Sequence, residues 1–498
     1  MRSSPFRRGM RSHARLSVGL ALLMMMSAQS GVFMDMKRPS EELSDFQIME
    51  SSVRTSNLVD TPAWKVDDVW FYDGYLDVGE FVASSGVSTN VQYLDGTLTE
   101  RVTDIYTMLV DGEITLVYKV ESDGNYEAEN INLDGNNGDL VVEMDTVEIF
   151  RASDLASIQY TATFDIDFVV QVLWWSTTIH IADMVVDTSY SPPLEGYDFP
   201  ISVGEEWETD YTQVNDFSGT CDENFENPGT GDYPCSDYVT FPSDSTSSNT
   251  TSWEVVSQGY PGTSYSGCSQ SYNITNYDDS GEETGYKWFC PAIRGEIRSS
   301  TAIAGVGIYA DHELTLYQAA WRSKQVSVEV KHPLSPLDFE LSAWVNVTES
   351  SGQPVQNQAL EVRYEIQGDI QSVTTAANGS AYFTIDTGHS ADDTVGDNEL
   401  GSHGVVAWIP SEKLLGVSTV TIDPDVHEVD LVSRSEGVTV ERTRGTRTVT
   451  LDNSIGFNAV PGDQLTFSVP VLNRGISNSP ATTLVIETPD GSTSSTSI

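Results

Sequence analysis

The sequence is poor in basic residues. It contains 25 Lys and Arg against 74 Asp and Glu, so its formal net charge at pH 7 is −49. Such a surface repels nucleic-acid phosphates and anionic lipid head groups, which argues against a nucleic-acid partner. The one basic cluster after the N-terminal region also lacks interleaved aromatic residues, and we expect its members to pair with nearby acids. These residues are Arg434, Arg442, Arg444 and Arg447.

Recognisable catalytic motifs are absent from the sequence. Its seven histidines are scattered, and there is no His-Glu-x-x-His, no Gly-x-Ser-x-Gly and no phosphate-binding P-loop. His180 alternates with Ile179 and Ile181 on a predicted strand, so we expect it on the surface, exposed or hydrogen-bonded. The sequence therefore predicts a protein that is not an enzyme; a hydrolase within 62–330 is the alternative.

Long apolar runs are also scarce. The exception, Leu16–Met26, follows five arginines and precedes small residues at 27–30. This order is that of a secretory signal peptide, and the run is too short to favour a transmembrane helix. We therefore predict a signal peptide over 1–30, a disordered lead-in over 31–61, and an exported protein at the cell surface or outside the cell.

Cysteines are few, and none forms a Cys-x-x-Cys pair, which argues against zinc and thioredoxin-type sites. In an exported chain we expect two disulfides, with local pairing the simplest of the three possible connectivities. The cysteines are Cys221, Cys235, Cys268 and Cys290. Four glycosylation sequons fit the same compartment. They lie at Asn249, Asn273, Asn346 and Asn378.

What the sequence does contain is β pattern. Hydrophobic residues make up 39% and aromatic residues 10%, enough to form cores. Strands over 103–110 and 113–120 are predicted to form a hairpin at Asp111-Gly112, since that pair accepts positive φ. Apolar residues then alternate with polar ones from Ile158 to Val170. A strand of that length predicts a wide curved sheet or half-barrel.

The pattern divides the first half of the chain into two curved antiparallel modules, 62–196 and 197–330. Each opens with a Trp that follows a Val and a polar turn. Trp174 and Trp175 begin a strand and must face opposite sides of it. The inner ring fills the core in one interpretation; in the other, the pair forms an aromatic platform for a ligand.

Two segments carry a family resemblance. Phe199–Trp207 and the later Trp288-x-x-Pro291-x-x-x-Gly295-x-Ile297 resemble exported bacterial and archaeal curved-sheet domains related to periplasmic lipoprotein carriers. Those families begin with Pro-Leu-x-Val-Gly-x-x-Trp and end with Trp-x-Ala-Pro-x-Val-Gly-x-Val-Lys. Here Cys290 replaces the small residue and Arg298 takes the basic place. The resemblance implies binding of apolar ligands or partners, and no catalytic residue is carried over.

The second half reads as immunoglobulin-like β-sandwiches. Residues 337–430 resemble bacterial Ig-like and carboxypeptidase-regulatory-like modules through Gly352-x-Pro354-Val355 and the alternating strands that follow. Residues 431–498 are similar to the start of a CARDB adhesion module, through the run Pro-Gly-Asp-x-Leu-x-Phe-x-Val from Pro461. The module stops at Ile498, so we expect a longer protein, with the membrane anchor left open.

Two oxygen-rich loops are candidates for calcium. The first, 134–139, lacks the ligand order of an EF-hand. The second lies between His389 and His403, where the alternative is a solvated acidic loop. Its candidate ligands are Asp392, Asp393, Asp397 and Glu399. No other cofactor is expected.

Three functions remain open. Tandem β domains favour a non-enzymatic surface protein for adhesion or for contact with other surface proteins or glycans. A carrier that holds an apolar ligand in the concave sheets of 62–330 is the alternative. The third is the accessory region of an enzyme whose catalytic domain lies beyond residue 498.

Overall fold

The all-β class predicted from the sequence is confirmed. The chain folds into β-strands with a 3₁₀ turn at Pro410–Glu412. It divides into two compact units, one of 64–197 and 203–321, the other of 58–63, 198–202 and the chain from 322 on. The computed structural model describes residues 58–77, 90–133, 136–172, 175–221, 226–227, 231–232, 244–278, 281–303, 308–335, 340–364, 370–386, 400–423, 431–433, 438–451, 459–473, 483–487 and 493–497.

The first unit is a closed barrel in which all neighbouring strands are antiparallel. Its twelve strands follow the order β1-β14-β13-β12-β11-β10-β7-β6-β5-β4-β3-β2, and β8 and β9 form a separate small pair. The strands are β1 (Val69–Asp77), β2 (Tyr93–Val110), β3 (Glu113–Leu133), β4 (Asn136–Arg151), β5 (Ser157–Val172), β6 (Trp175–Leu194), β7 (Glu206–Cys221), β8 (Glu226–Asn227), β9 (Gly231–Asp232), β10 (Ser245–Gly259), β11 (Ser271–Tyr277), β12 (Glu283–Cys290), β13 (Gly295–Ile303) and β14 (Ile308–Gln318).

Local sequence explains the clearest strands. The predicted hairpin is confirmed, since β2 and β3 meet at Asp111-Gly112, both with positive φ. The predicted long strand is also confirmed as β5, whose side chains Ala162, Phe164, Ile166 and Phe168 are buried in the barrel. Alternation with polar neighbours fixes which face turns inward, because a one-residue slip would expose every one of these side chains.

The two curved modules predicted over 62–196 and 197–330 are two parts of this one barrel. The predicted boundary falls between β6 and β7, which pair with each other in the same sheet. Closure comes from β1 and β14, which pair along the whole of β1. Closing the sheet pairs the backbone groups that two open curved sheets would leave at their edges.

Apolar side chains fill one layer of the barrel interior. This layer consists of Leu76, Val91, Leu94, Tyr126, Ala128, Ile131, Leu140, Val142, Ala162, Phe164, Ile166, Phe168 and Val186. All of these residues are buried, and large aliphatic and aromatic side chains dominate, so the layer carries much of the hydrophobic stabilisation of the barrel.

Aromatic residues close the barrel at the end where β1 begins. The ring of Trp64 contacts the rings of Trp70 and Tyr118, with centroids 5.6 and 5.1 Å apart. Asp68 is fully buried beside them and forms an ion pair of 2.8 Å with Arg294. Its carboxylate also accepts hydrogen bonds from backbone amides, which offset the desolvation of the charge.

The second unit contains two facing sheets with a common core. One has the order β15-β17-β20 and the other β16-β22-β21-β18-β19. Side chains from both sheets form one hydrophobic cluster that includes Leu341, Val362 and Phe383. The strands are β15 (Lys324–Val330), β16 (Leu334–Ser335), β17 (Glu340–Glu349), β18 (Ala359–Tyr364), β19 (Ile370–Thr374), β20 (Ser380–Asp386), β21 (Gly401–Ile409) and β22 (Leu414–Ile422).

This sandwich begins before the boundary predicted at 337. The strand β15 pairs with β17, and the half-buried valines of β15 pack on the sandwich core. Residues 324–330 therefore belong to the sandwich and not to the predicted second curved module. The end of the predicted lead-in also belongs here, because the carboxylate of Asp60 accepts a hydrogen bond from the amide of Thr419 at 2.8 Å. The immunoglobulin-like family assignment stays a prediction.

Residues 431–497 form small sheets of two or three strands. Their orders are β23-β27, β25-β24-β26 and β28-β29. The strands are β23 (Leu431–Ser433), β24 (Thr439–Arg444), β25 (Arg447–Leu451), β26 (Gln464–Ser468), β27 (Val471–Asn473), β28 (Thr483–Glu487) and β29 (Thr493–Ser497). The CARDB resemblance of this segment also stays a prediction.

Candidate ligand-binding site

Four charged residues face the inside of the barrel. Residues that pair across neighbouring antiparallel strands lie on the same face of the sheet, so an inward partner identifies an inward side chain. Each of the four is paired with a residue whose side chain belongs to the barrel interior. The pairs are Glu100 with Trp70, Glu148 with Tyr160, Glu296 with Phe289, and Lys287 with Ile274.

These four residues and four tyrosines form what we call the polar belt. Its tyrosines are Tyr72, Tyr160, Tyr190 and Tyr197. Along the inward face of β4, Glu148 lies between Val142 of the apolar layer and Phe150 of the aromatic end. The belt is therefore held between two apolar layers, where bulk water solvates charges poorly.

Hydrogen bonds hold the acids of the belt in place. The hydroxyl of Tyr197 donates to Oε1 of Glu296 at 2.8 Å. The hydroxyl of Ser157 donates to Oε1 of Glu148 at 2.7 Å. The hydroxyl of Tyr72 donates to the backbone carbonyl of Glu296 at 3.2 Å. Glu148 and Ser157 lie on the neighbouring strands β4 and β5, whereas Tyr72 and Glu296 are 224 positions apart in the sequence and come together because the barrel closes.

Burial changes the protonation of the belt. It raises the pKa of Glu100 from 4.5 to about 8, assisted by the negative charges of Glu296 and Glu148. Burial likewise raises the pKa of Glu148 to about 7, against the hydrogen bond from Ser157. At neutral pH, Glu100 is thus mostly a neutral carboxylic acid that can donate a hydrogen bond.

Lys287 lies between two aromatic rings. Its Nζ atom is 3.5 Å from the ring centroid of Tyr197 and 4.9 Å from that of Trp253. Trp253 in turn stacks on Trp207, with an interplanar angle of 7°. A Cβ at Gly196 would lie only 2.8 Å from Nζ, so a larger residue there would displace the amine from this position. Burial lowers the pKa of Lys287 to about 8, against the opposing effect of the nearby acids.

The belt continues to His312, whose ring lies 2.7 Å from the hydroxyl of Tyr126. Burial lowers the pKa of His312, so the ring is neutral at pH 7 and accepts or donates according to its tautomer. Gly74 leaves the space for this contact, since a Cβ there would lie 2.6 Å from the ring of Tyr126.

Most polar-belt side chains line a space rather than filling it. Glu100, Glu148, Lys287, Tyr160 and Tyr190 all point inward, yet each is only half-buried. Eight strands already enclose an interior that side chains can fill, and the width of a barrel grows with strand number. In a barrel of twelve strands, inward side chains that keep accessible surface therefore border space inside the barrel.

A second cluster lies on the outer face of β5 and β6. His180 Nδ1 is 3.1 Å from Asp167 and 3.2 Å from Asp165, and its Nε2 is 3.3 Å from Asp183. The surface position expected for this histidine is what the structure shows. Partial burial lowers its pKa, but the hydrogen bond to Asp167 and the three acidic charges raise it overall. One ligand atom each from Asp165, Asp167 and His180 could reach a single metal ion, being within 4.8 Å of one another.

The residues predicted for the aromatic platform and for the second calcium loop lie outside the side chains that the structure describes. Trp174 lies outside the described residues, as does the side chain of Trp175. The calcium candidates Asp392, Asp393, Asp397 and Glu399, together with His389, are likewise outside them. Of the predicted arginine cluster, Arg444 forms a two-point ion pair with Asp463, with both N–O distances 2.6 Å.

The structure supports one of the two expected disulfides. Cys268 and Cys290 are bonded, as local pairing predicted. Cys235 lies outside the described residues, and of Cys221 only the backbone is described. The observed bond fits an oxidising compartment.

The four sequon asparagines occupy different surroundings. Asn249 shares its face of β10 with residues that pair with the buried Gln213 and Asn215, and it donates to Ser247 at 3.0 Å. The Oδ1 atom of Asn273 is buried. The side chain of Asn346 accepts a hydrogen bond from Ser380, and Asn378 is exposed in a turn. Their glycosylation stays a prediction.

The sequence reasoning missed the polar belt, although a signal for it exists. The inward face of β4 reads Leu140, Val142, Met144, Thr146, Glu148 and Phe150. A single acid on an otherwise apolar face marks a buried charge. The chain has 74 acidic residues, and the sequence around any one of them does not show which distant residues it contacts, so the belt could not be recognised.

Comparison with known proteins leaves the family open: no protein-family model matches the chain, and no curated protein has significant sequence similarity to it. Among the described residues, no helix has the length and apolarity needed to cross a membrane.

Proposed function

We propose that the protein is an exported binding protein whose barrel encloses a small, largely apolar ligand with one uncharged polar group. The observation that supports this most is the polar belt itself. Inward-facing polar groups keep accessible surface between two apolar layers inside a barrel of twelve strands. Binding pockets commonly have this composition: apolar walls with a few convergent polar groups.

The protonation states of the polar-belt residues indicate which class of polar group the ligand carries. Glu100, neutral at pH 7, and the tyrosine hydroxyls offer hydrogen-bond donors, which suits a carbonyl or hydroxyl oxygen on the ligand. A carboxylate ligand would meet the charge of Glu296 and the partly ionised Glu148. We therefore expect neutral amphiphiles to bind better than anionic ones of equal chain length.

Export is supported by the leader-like N-terminal sequence and by the disulfide between Cys268 and Cys290. Roles in adhesion or as an accessory region of an enzyme stay predictions.

The test is binding of Nile red, a neutral apolar fluorophore, to the purified chain, followed by displacement with decanol or decanoate. Ser122 faces Glu100 and Thr146 inside the barrel and is half-buried. Ser122→Trp should therefore fill the space and weaken dye binding, whereas Asp123→Trp on the outer face should not. Both variants are checked by circular dichroism.

We expect decanol to displace the dye at a lower concentration than decanoate does. Equal dye binding by the two folded variants, or absence of saturable dye binding by the unmodified protein, would show that the interior is not a ligand site.

A further inference from the structure

The barrel has a single amine on its inside among the described residues. The lysines of this unit are Lys65, Lys119 and Lys287. Lys119 forms an ion pair with Glu121 at 2.5 Å on the outer face of β3. Lys65 lies in the turn before β1, outside the strands. Lys287, on β12, is the one that points into the space lined by the polar belt.

The surroundings of this amine are unusual for a lysine. Among the residues that the structure describes, no carboxylate oxygen forms an ion pair with Nζ, and no acceptor is hydrogen-bonded to it. Its close neighbours are the faces of Tyr197 and Trp253, while Glu296 and Glu148 act on it through their charges from further away. Without such acceptors an enclosed ammonium group is stabilised less than in water, and the two ring faces offset only part of this loss.

With a pKa of about 8, part of the Lys287 population is the neutral amine near pH 8, and a half-buried neutral amine is a nucleophile for carbonyl carbon. We propose that Lys287 captures apolar aldehydes or ketones inside the barrel as a reversible imine. This inference rests on the proposed function, and it names the polar group of the ligand as a carbonyl.

The chemistry needs no oxidant or reductant. The lone pair of Nζ attacks the carbonyl carbon, a C–N bond forms, and a proton moves from nitrogen to oxygen to give a carbinolamine. The C–O bond then breaks, the hydroxyl takes up a proton and leaves as water, and a C=N bond forms as the nitrogen gives up its remaining proton. Glu148, with its pKa near neutrality, is suited to supply and regain that proton, directly or through water.

The geometry favours this outcome over simple solvation of the amine. Gly196 leaves the approach to Nζ free of a side chain, and the rings of Tyr197 and Trp253 stabilise the positive charge of a protonated imine as they do that of the ammonium group. The apolar layer of the barrel provides a surface for the alkyl chain of the carbonyl compound.

The test uses the full chain with decanal as the probe. The protein is incubated with decanal at about pH 8, reduced with borohydride and digested, and the alkylation of each lysine peptide is measured by mass spectrometry. Reduction converts an imine into a stable secondary amine. We expect alkylation at Lys287 to exceed that at Lys119 at least about ten-fold, because an ordinary lysine with a pKa near 10.4 is almost entirely protonated there.

A parallel displacement of Nile red separates the possible failures. If decanal displaces the dye but Lys287 is alkylated no more than Lys119, the capture is wrong while the binding function stands. If neither decanal nor decanol displaces the dye, the binding function fails and the capture fails with it. Lys119→Met, on the outer face, should keep both displacement by decanol and the adduct at Lys287, whereas Lys287→Met should lose the adduct. If Lys287→Met does not fold, the peptide map of the unmodified protein decides.

Discussion

Glu100→Gln tests the enclosed character of the polar belt through stability. The folded state holds the proton of Glu100 more tightly than the unfolded chain does, since burial raises its pKa from 4.5 to about 8. The stability associated with this proton is therefore complete below about pH 4.5 and is lost as the pH rises towards about 8. Glutamine cannot ionise, so the variant escapes this loss.

The size of the effect follows from the shift. A change from 4.5 to about 8 corresponds to an upper limit of about 5 kcal/mol. Two effects reduce it: Glu100 is only half-buried, and repulsion in an unfolded chain with net charge −49 also raises carboxyl pKa values. The unmodified protein should therefore lose about 2 kcal/mol more of its free energy of unfolding than Glu100→Gln does when the pH is raised from about 4.5 to about 8.

The assay is urea denaturation followed by tryptophan fluorescence at both pH values. Glu143→Gln serves as the matched control, because it removes the same charge from an exposed position on β4. The control corrects for the general loss of acidic repulsion. Its free energy of unfolding relative to the unmodified protein should change by less than about 0.5 kcal/mol between the two pH values. Equal changes in the two variants would refute the argument that Glu100 lies in an enclosed, poorly solvated belt.

Three further substitutions test the fold. Asp68→Asn removes the charge of a fully buried carboxylate from its ion pair with a guanidinium group, and denaturation should show a loss of about 3 kcal/mol; a loss below about 1 kcal/mol would indicate a solvated pair. Replacing Cys268 and Cys290 by alanine opens a loop with a sequence separation of 22 and should cost about 3 kcal/mol, whereas unchanged stability would contradict the bond. Gly379→Ala should destabilise the sandwich by more than about 1 kcal/mol, and by more than Gly352→Ala does. Both glycines have positive φ, but only at Gly379 does a backbone atom lie 2.7 Å from the new Cβ. Equal losses of stability in the two variants would contradict that packing.

The sequence predicted those features that depend on neighbouring residues. The hairpin at Asp111-Gly112 follows from the φ preferences of two residues, and β5 follows from alternation over one segment. The disulfide between Cys268 and Cys290 was predicted because the two cysteines flank one insertion. In each case the physical cause lies within one short stretch of chain.

Features that depend on contacts between distant parts of the chain could not be predicted from the alternation of apolar and polar residues. Closure requires β1 to pair with β14, and Trp70 is opposite Tyr317 in that pairing. Alternation predicts that each strand has an inner face, but not which two edges meet. The polar belt depends on the same closure, since Tyr72 of β1 donates to the carbonyl of Glu296 on β13 across 224 positions of sequence.

Photo-crosslinking with a long-chain alcohol that carries a diazirine shows directly whether the barrel binds a ligand in its interior. After irradiation, the labelled residues on β4 and β5 are located by mass spectrometry. The account predicts labels on inward positions such as Glu148 and Tyr160, and protection of these positions by excess decanol. Labels confined to outward neighbours such as Thr161, or labelling that excess decanol does not reduce, would contradict a ligand site inside the barrel.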